Sequence, residues 1–430
     1  MIENEEPVIA NSLWSATANA TPDCPPLHNA VTADVCIIGA GFTGLSAALH
    51  LAQAGRNVIV LEAQTPGWGA SGRNGGQVNP GLQDDPDQIE KTFGPEMGTR
   101  MVKMSGDAGQ LVFDLIAKHN IQCDAKQVGW LRAAHTPKAM RTLENRADQW
   151  RKRGADFKTF DADTTAQMIG TQQYIGSIMD PRGGNLHPLN YALGLADAAI
   201  KAGAKIHGHS RAIELTTHNG QHIIRTEHGQ VTTDKTLLCT NGYTDGLLPP
   251  LAHTLVPVRS VQVATEPLSD NLQKSILPQG QAPSDTQRLL LYFRKDAAGR
   301  LIMGGRGDYS PRGTQTAQED LRQTTLKMFP QLGDVKWSYA WGGYIAITAD
   351  HTPHLNLIGD GIMAGLGYNG RGVAMATAMG RVLADWATGK PTADLPFPVT
   401  APKPMPLHRF AKLGVQATVL REKLLDRLGV

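Results

Sequence analysis

The sequence predicts an α/β fold, α+β overall, in which a parallel nucleotide-type sheet is interleaved with an antiparallel sheet. Three observations carry this. Residues 35–62, VCIIGAGFTGLSAALHLAQAGRNVIVLE, read as strand, glycine turn, helix, strand and acid. Residues 255–345 are strand-rich, with turn signals between β-branched and aromatic runs. A second glycine turn, GLGYNGRGV at 365–373, again runs from a strand into a helix.

Val35 to Ile38 form a short apolar run, as a strand buried on both faces should. Gly39, Gly41 and Gly44 then give the spacing G-x-G-x-x-G. The first makes a tight turn, the second lets backbone approach a pyrophosphate, and the third allows helix to pack closely on strand. The helix spans Thr43 to Ala54, entered through Phe42, with Leu45, Ala48, Leu49 and Ala52 at helical spacing and Gly55 as its stop. Asn57 to Leu61 is the next strand. Glu62 follows, with Ala63 beside it, where a carboxylate accepts hydrogen bonds from a ribose. A bound adenine dinucleotide is implied, but this pattern does not separate FAD from NAD.

Residues 67–77, GWGASGRNGGQ, suit a loop that wraps a polar ligand with backbone amides. Its candidate binding residues are Gly69, Ala70, Ser71, Arg73, Asn74, Gly75, Gly76 and Gln77. Two helices, Glu96–His119 and Pro137–Arg153, follow without a chemical motif. A helical stretch, Leu189–Ala202, leads to strand-like segments near 204–207, 221–227 and 235–240. The last ends in Thr240, Asn241 and Gly242, small groups at a strand's carboxyl end, where open α/β sheets bind ligands. Strands over Leu255–Thr265, Arg288–Phe293, Leu301–Gly304 and Trp337–Tyr344 form the substrate side. The helix after the second glycine turn covers Ala374 to Gly389.

The formal charge of +2 leaves no electrostatic argument for nucleic-acid binding. The four cysteines, Cys24, Cys36, Cys123 and Cys239, form no C-x-x-C pair, so neither a metal site nor a disulfide framework is expected. A reducing cytoplasm fits. The acidic N-terminus does not read as a secretory signal, and no apolar run reaches membrane-spanning length.

Taken together, GAGFTG with Glu62, the GWGASGRNGGQ loop, GGNLHP at 183–188, LLCTNGYT at 237–244 and GLGYNGRGVAMAT at 365–377 resemble the superfamily of D-amino-acid oxidase, glycine oxidase and sarcosine oxidase. Within it, GASGRNGGQ, WGGYIAITAD at 341–350 and the lead-in SLWSATA are similar to bacterial γ-glutamylputrescine oxidases, and L-pipecolate oxidases share the style. The resemblance implies FAD. It sets Gly39, Gly41 and Gly44 at the pyrophosphate, Glu62 at the adenosine ribose, and Thr240 and Asn241 near the adenosine half, with Ala212 a further cofactor-binding residue. Gly367, Tyr368, Asn369, Gly370, Arg371, Gly372 and Val373 would place a helix start at the flavin's pyrimidine edge. No Cys follows Cys239 and no His lies in 67–77, so non-covalent FAD is expected.

The implied reaction is hydride transfer from a carbon bearing a neutral amine, with oxygen or a quinone taking the electrons afterwards. Arg294 is the first candidate to clamp a substrate carboxylate and Arg306 the second, since a guanidinium fork pairs two oxygens. Tyr344 and His351 are weaker candidates to line the pocket. The expected division is a lead-in at 1–30 and an FAD domain from 31–90, 183–250 and 350–398. A substrate domain comes from 91–182 and 251–349, with a linker and basic amphipathic helix at 399–430. That helix, with Leu413, Ala417, Leu420, Leu424 and Leu428 on one face, can dock on the core or touch an anionic membrane. An RNA-modifying flavoprotein and a non-catalytic flavoprotein are the alternative classes.

Overall fold

The computed structural model describes residues 11–411 together with 414, 415, 418 and 421. The apolar positions expected on the C-terminal helix lie outside the described residues. Among the described residues, no helix is long and apolar enough to cross a membrane.

The dinucleotide-type segment nucleates the larger sheet. Strand Ala30–Ile38 lies at its centre, parallel to Val58–Leu61 on one side and to Gln230–Leu238 on the other. Lys205–His207 extends it beyond Val58–Leu61. Ile362–Leu366 extends it beyond Gln230–Leu238, and His354–Gly359 then runs antiparallel. Parallel neighbours need crossover connections, and here helix Phe42–Gln53 supplies the first. That helix packs against the last long helix, Gly372–Ala387, and against helix Pro188–Lys201. Val35, Ile37, Val58 and Val60 face this helical layer, while Cys36, Ile38, Ile59 and Leu61 face the opposite core. Burial on both faces explains why these strands read as unbroken apolar runs.

The second sheet has eight strands. Its four expected members are Val256–Pro267, Tyr292–Lys295, Arg300–Arg306 and Trp337–Ile347. Strand Ala282–Asp285 joins them to Trp130–Ala134, Gly176–Asp180 and Lys158–Asp161. The α/β class with an added antiparallel sheet is borne out.

Several elements differ from the sequence reading. The central strand begins five residues earlier, because Ala30 to Asp34 are held by pairing with 230–235, a distant partner. Residues 288–291 form a loop, and the strand expected over Arg288–Phe293 starts only at Tyr292. A helix over Pro311–Met328 lies inside the stretch read as strand-rich. Ser310 caps it by accepting from the Gly313 amide, and Leu321, Thr325 and Met328 form its buried face. Helix Pro95–His119 buries Met101, Val102, Ala108 and Val112 with the helical layer of the first sheet.

The lead-in is partly structured as well. Ser12 and Ser15 close a capping box on helix Leu13–Ala16, which buries Leu13 and Trp14. His187 holds this segment. Its Nδ1 accepts from the Asn190 amide at 3.1 Å, capping helix Pro188–Lys201, so Nε2 carries the proton and donates to Thr17 Oγ1 at 3.0 Å. Burial, with the Arg294 cation adding, pushes the His187 pKa down to about 4. Protonating Nδ1 would remove the cap acceptor.

A depressed folded-state pKa means that the unfolded chain binds the extra proton first as pH falls. Stability is therefore lost from about pH 6.5 down to about 4, on the order of 3 kcal/mol for this one group. Urea unfolding at stepped pH should show that loss, and His187→Asn, which keeps a capping acceptor without a titrating ring, should flatten it.

Candidate functional site

One cavity of about 930 Å³ runs from the carboxyl ends of the first sheet to the face of the second. At its nucleotide end the three glycines of the first turn act differently. Gly39 holds φ at +103° with Cys239 O 3.0 Å from where a Cβ would sit, so both conformation and space demand glycine. A Cβ on Gly41 would meet Ser71 Oγ at 2.9 Å, and that hydroxyl accepts from the Phe42 amide. A Cβ on Gly44 would lie 1.9 Å from Gly39 O, so the third glycine serves packing and does not line the cavity. Gly39, Gly41, Phe42 and Thr43 do line it.

Glu62 stands at the end of the next strand, with Ala63 and Ala212 also on the wall. Its Oε2 accepts from the Ala40 amide at 2.7 Å and its Oε1 from the Gln64 amide at 3.0 Å. Burial raises its pKa, and these amides oppose the rise. The carboxylate is thus fixed in place, with lone pairs left for a hydroxyl donor. Thr240 and Asn241 line the opposite side, and Asn241 Oδ1 accepts from the Gly367 amide, tying two strand ends together. Gly242 and Gly367 pack behind that wall, against Tyr344 O and the Thr348 side chain.

The loop at 67–77 forms the cavity's middle. Gly69, Ala70, Ser71, Arg73, Asn74, Gly75 and Gln77 line it, while Gly76 is pressed on Leu186 O behind. Three successive carbonyls of this loop are drawn outward by side chains. Arg73 O accepts from Gln262 Nε2 at 2.7 Å and from Trp341 Nε1 at 3.0 Å. Asn74 O accepts from Trp14 Nε1 at 2.8 Å. Gly75 O accepts from Arg294 Nε at 2.7 Å. The donors come from the lead-in and three strands of the antiparallel sheet. Arg73 in turn donates to Trp68 O and lies over the Trp68 ring.

The second glycine turn closes the cavity. Asn369 accepts from the Thr348 amide through Oδ1, and Tyr368 hydrogen-bonds Thr43 Oγ1, so the turn is anchored to the end of strand Trp337–Ile347 and to helix Phe42–Gln53. Tyr368, Asn369, Gly370, Arg371, Gly372 and Val373 line the wall. No side chain caps helix Gly372–Ala387, and the residues of its first turn face the cavity. Uncapped N–H groups at a helix start favour an anionic or electron-rich ligand atom. Helix Phe42–Gln53, at the other end, likewise starts on the cavity.

Beyond the loop lies a chamber built on the antiparallel sheet. Tyr344 and His351 line it, as expected. Trp130, Arg132, Gln262, Tyr292, Arg288 and Arg306 join them. Tyr292 fits because Gly304, its register partner, and Gly75 both lack a side chain where its ring lies. Of these, sequence reasoning missed Trp130, Arg132, Gln262, Tyr292 and Arg288 as site residues. A usable signal was the alternation Trp130-Leu131-Arg132-Ala133, which puts an aromatic and a cation on one strand face.

Arg294 is not a clamp on substrate. It is buried and does not line the cavity. Its fork donates to Gly75 O, to Asn185 Oδ1 at 2.9 Å and to Leu186 O at 2.7 Å, with the plane over Trp14. Burial lowers its pKa to about 10. Its donors are committed to holding loop to sheet.

A cavity with two helix starts and a strand-end carboxylate along one wall belongs to a dinucleotide-binding protein, and the chamber beyond gives that dinucleotide something to react with. The chain belongs to the DAO family of FAD-dependent oxidoreductases, whose profile matches residues 34–386. It is 34% identical to the gamma-glutamylputrescine oxidoreductase of Escherichia coli (strain K12), over 98% of this chain and 99% of that protein. It is 37% identical to a probable oxidoreductase, OrdL, of Haemophilus influenzae, covering 85% of each. Its fold matches the crystal structure of glycine oxidase from Geobacillus kaustophilus with a TM-score of 0.70 at 19% identity, covering 84% of this chain and 96% of that one. FAD is the cofactor of this family.

Arg294→Lys removes the fork while keeping the charge. The variant should lose about 3 kcal/mol or more in urea unfolding, since two buried carbonyls and an amide oxygen lose donors. FAD absorbance per protein at 450 nm should fall with it. Full stability and full FAD content, with only carboxylate affinity weakened, would restore the clamping role.

Proposed function

We propose that the protein oxidises the C–N bond of an amine of the γ-glutamylputrescine type, using non-covalently held FAD. The observation that carries this is the charge of the cavity wall. Seven arginines line it, Arg73, Arg132, Arg211, Arg259, Arg288, Arg306 and Arg371, against two carboxylates, Glu62 and Asp245. Both acids sit at the nucleotide end, Glu62 held by amides and Asp245 paired with Arg211. A protonated amine entering the chamber would meet like charge without a carboxylate among the described lining residues. Its ordinary pKa near 10 is therefore depressed there, and the neutral form, the one able to release a hydride, is favoured.

FAD, when bound, supplies the two-electron acceptor for the hydride leaving the carbon beside nitrogen. The chain's residues supply position and exclusion. Gly39 to Thr43 and the start of helix Phe42–Gln53 would hold the pyrophosphate, and Glu62 the ribose. The carbonyls at 73–75, turned outward, leave the inner face of the loop for the isoalloxazine. The start of helix Gly372–Ala387 would stabilise the negative charge that accumulates on reduction. Tyr292, Tyr344 and Trp130 give the chamber apolar ring surface that excludes water. The iminium product then takes up water to release a carbonyl, or cyclises. Oxygen or a quinone would be the final electron acceptor. The near full-length relative supports a γ-glutamylated diamine over a cyclic imino acid such as L-pipecolate.

Anaerobic mixing of the FAD-loaded protein with separate amines tests this. Bleaching of the flavin band should be fastest with γ-glutamylputrescine and slower with L-pipecolate, glycine and D-alanine. Its rate at subsaturating amine should rise with pH as the free amine deprotonates. Reduction by hydroxy acids alone would reject the assignment.

A further inference from the structure

Resting on that reading of the cavity as an amine-oxidising site, one chamber residue specifies the substrate further. Strand Trp130–Ala134 turns Leu131 and Ala133 into the core of the antiparallel sheet, so Trp130 and Arg132 share the cavity face. Trp130 is fixed by donating Nε1 to Ser284 Oγ at 2.9 Å. Two guanidinium groups lie against its ring, Arg371 at 4.5 Å and Arg132 at 5.5 Å from the centroid. They differ in commitment. Arg371 donates Nη1 to Pro80 O and belongs to the glycine turn. Arg132 makes no hydrogen bond or ion pair among the described residues, and its Nε is buried without an acceptor.

The neighbouring carboxylates are all engaged. Asp85 pairs with Arg146. Asp180 takes a two-point bond from Arg182. Asp285 accepts from the Gln287 and Leu291 amides and from Gln287 Nε2, closing the loop that borders the chamber. Arg146, Arg371 and Arg132 thus stand near one another with a single carboxylate bonded among them. Arg132 is half-buried on the cavity wall, and an unmade bond from a buried atom of a charged group costs more than one from a neutral group. Such a group is retained where a ligand completes it.

We propose that Arg132 is the anion anchor of the substrate chamber, so that the amine oxidised here carries a carboxylate which Arg132 pairs beside the Trp130 ring. Recognition of the remote carboxylate then selects acylated or carboxylated amines over plain diamines.

The test compares γ-glutamylputrescine with N-acetylputrescine, which keeps the amide and the reacting amine but lacks the carboxylate. Anaerobic flavin reduction gives a Kd and a limiting rate for each in the FAD-loaded wild type, Arg132→Met and Arg132→Lys. The wild type should prefer γ-glutamylputrescine by tenfold or more in Kd. Arg132→Met should reduce that preference at least tenfold, and Arg132→Lys should restore part of it. Glutarate, which cannot be oxidised, should perturb the flavin spectrum of the wild type and not of Arg132→Met. A preference unchanged in Arg132→Met overturns the anchor while leaving amine oxidation standing. A shift in flavin reduction potential without a change in preference also overturns it, by assigning Arg132 to the cofactor. If no amine reduces the flavin but glutarate still perturbs it in an Arg132-dependent way, the anion site stands and the amine reading falls.

Discussion

The site depends on where three consecutive carbonyls point. The carbonyls of Arg73, Asn74 and Gly75 are all engaged, because Gln262, Trp341, Trp14 and Arg294 each offer a donor. A glycine-rich loop left alone has too much freedom to hold one ligand-facing surface. Here buried donors from the second sheet and the lead-in fix it. Each bond contributes about 1 kcal/mol in net terms, yet removing one strands a buried carbonyl, which costs more. Cofactor loop and substrate sheet are therefore one mechanical unit.

That arrangement explains what the sequence could show. Gly39, Gly41, Gly44 and Glu62 were legible because their roles follow from neighbours within thirty or so residues, about one strand-helix-strand unit. Most residues expected at the two glycine turns line the cavity, while Gly44 and Gly367 pack behind its wall. Arg294 was misread because a cation in a strand looks alike whether its fork meets a ligand or a backbone carbonyl. What separates the two is Asn185 and Leu186, supplied by a remote stretch. Arg132 was missed because its strand is short and its pairing partners, Ala282–Asp285 and Gly176–Asp180, come from far along the chain. Helix Pro311–Met328 was hidden by its weakly apolar surface, with few buried positions along it.

The chamber also shows a conflict between stability and function. Arg132 and Arg371 are pressed on one indole, and each is lowered by burial and by the other cations nearby. Apolar residues of similar volume would make a more stable wall. Under the proposed function, cations there would bias the amine toward its free base and give an anion a partner.

The lead-in has a consequence for how the molecule assembles. Leu13–Ala16 leaves the ribosome early, but its partners are Asn74, His187, Arg294 and Trp341, the last made when most of the chain is out. Contacts so distant in sequence carry a large loop-closure cost and form late. The segment is thus made before its partners and among the last to dock, and its docking engages the Asn74 carbonyl. Setting of the glycine loop at 67–77 becomes a late folding event, timed by a tryptophan that does not line the cavity.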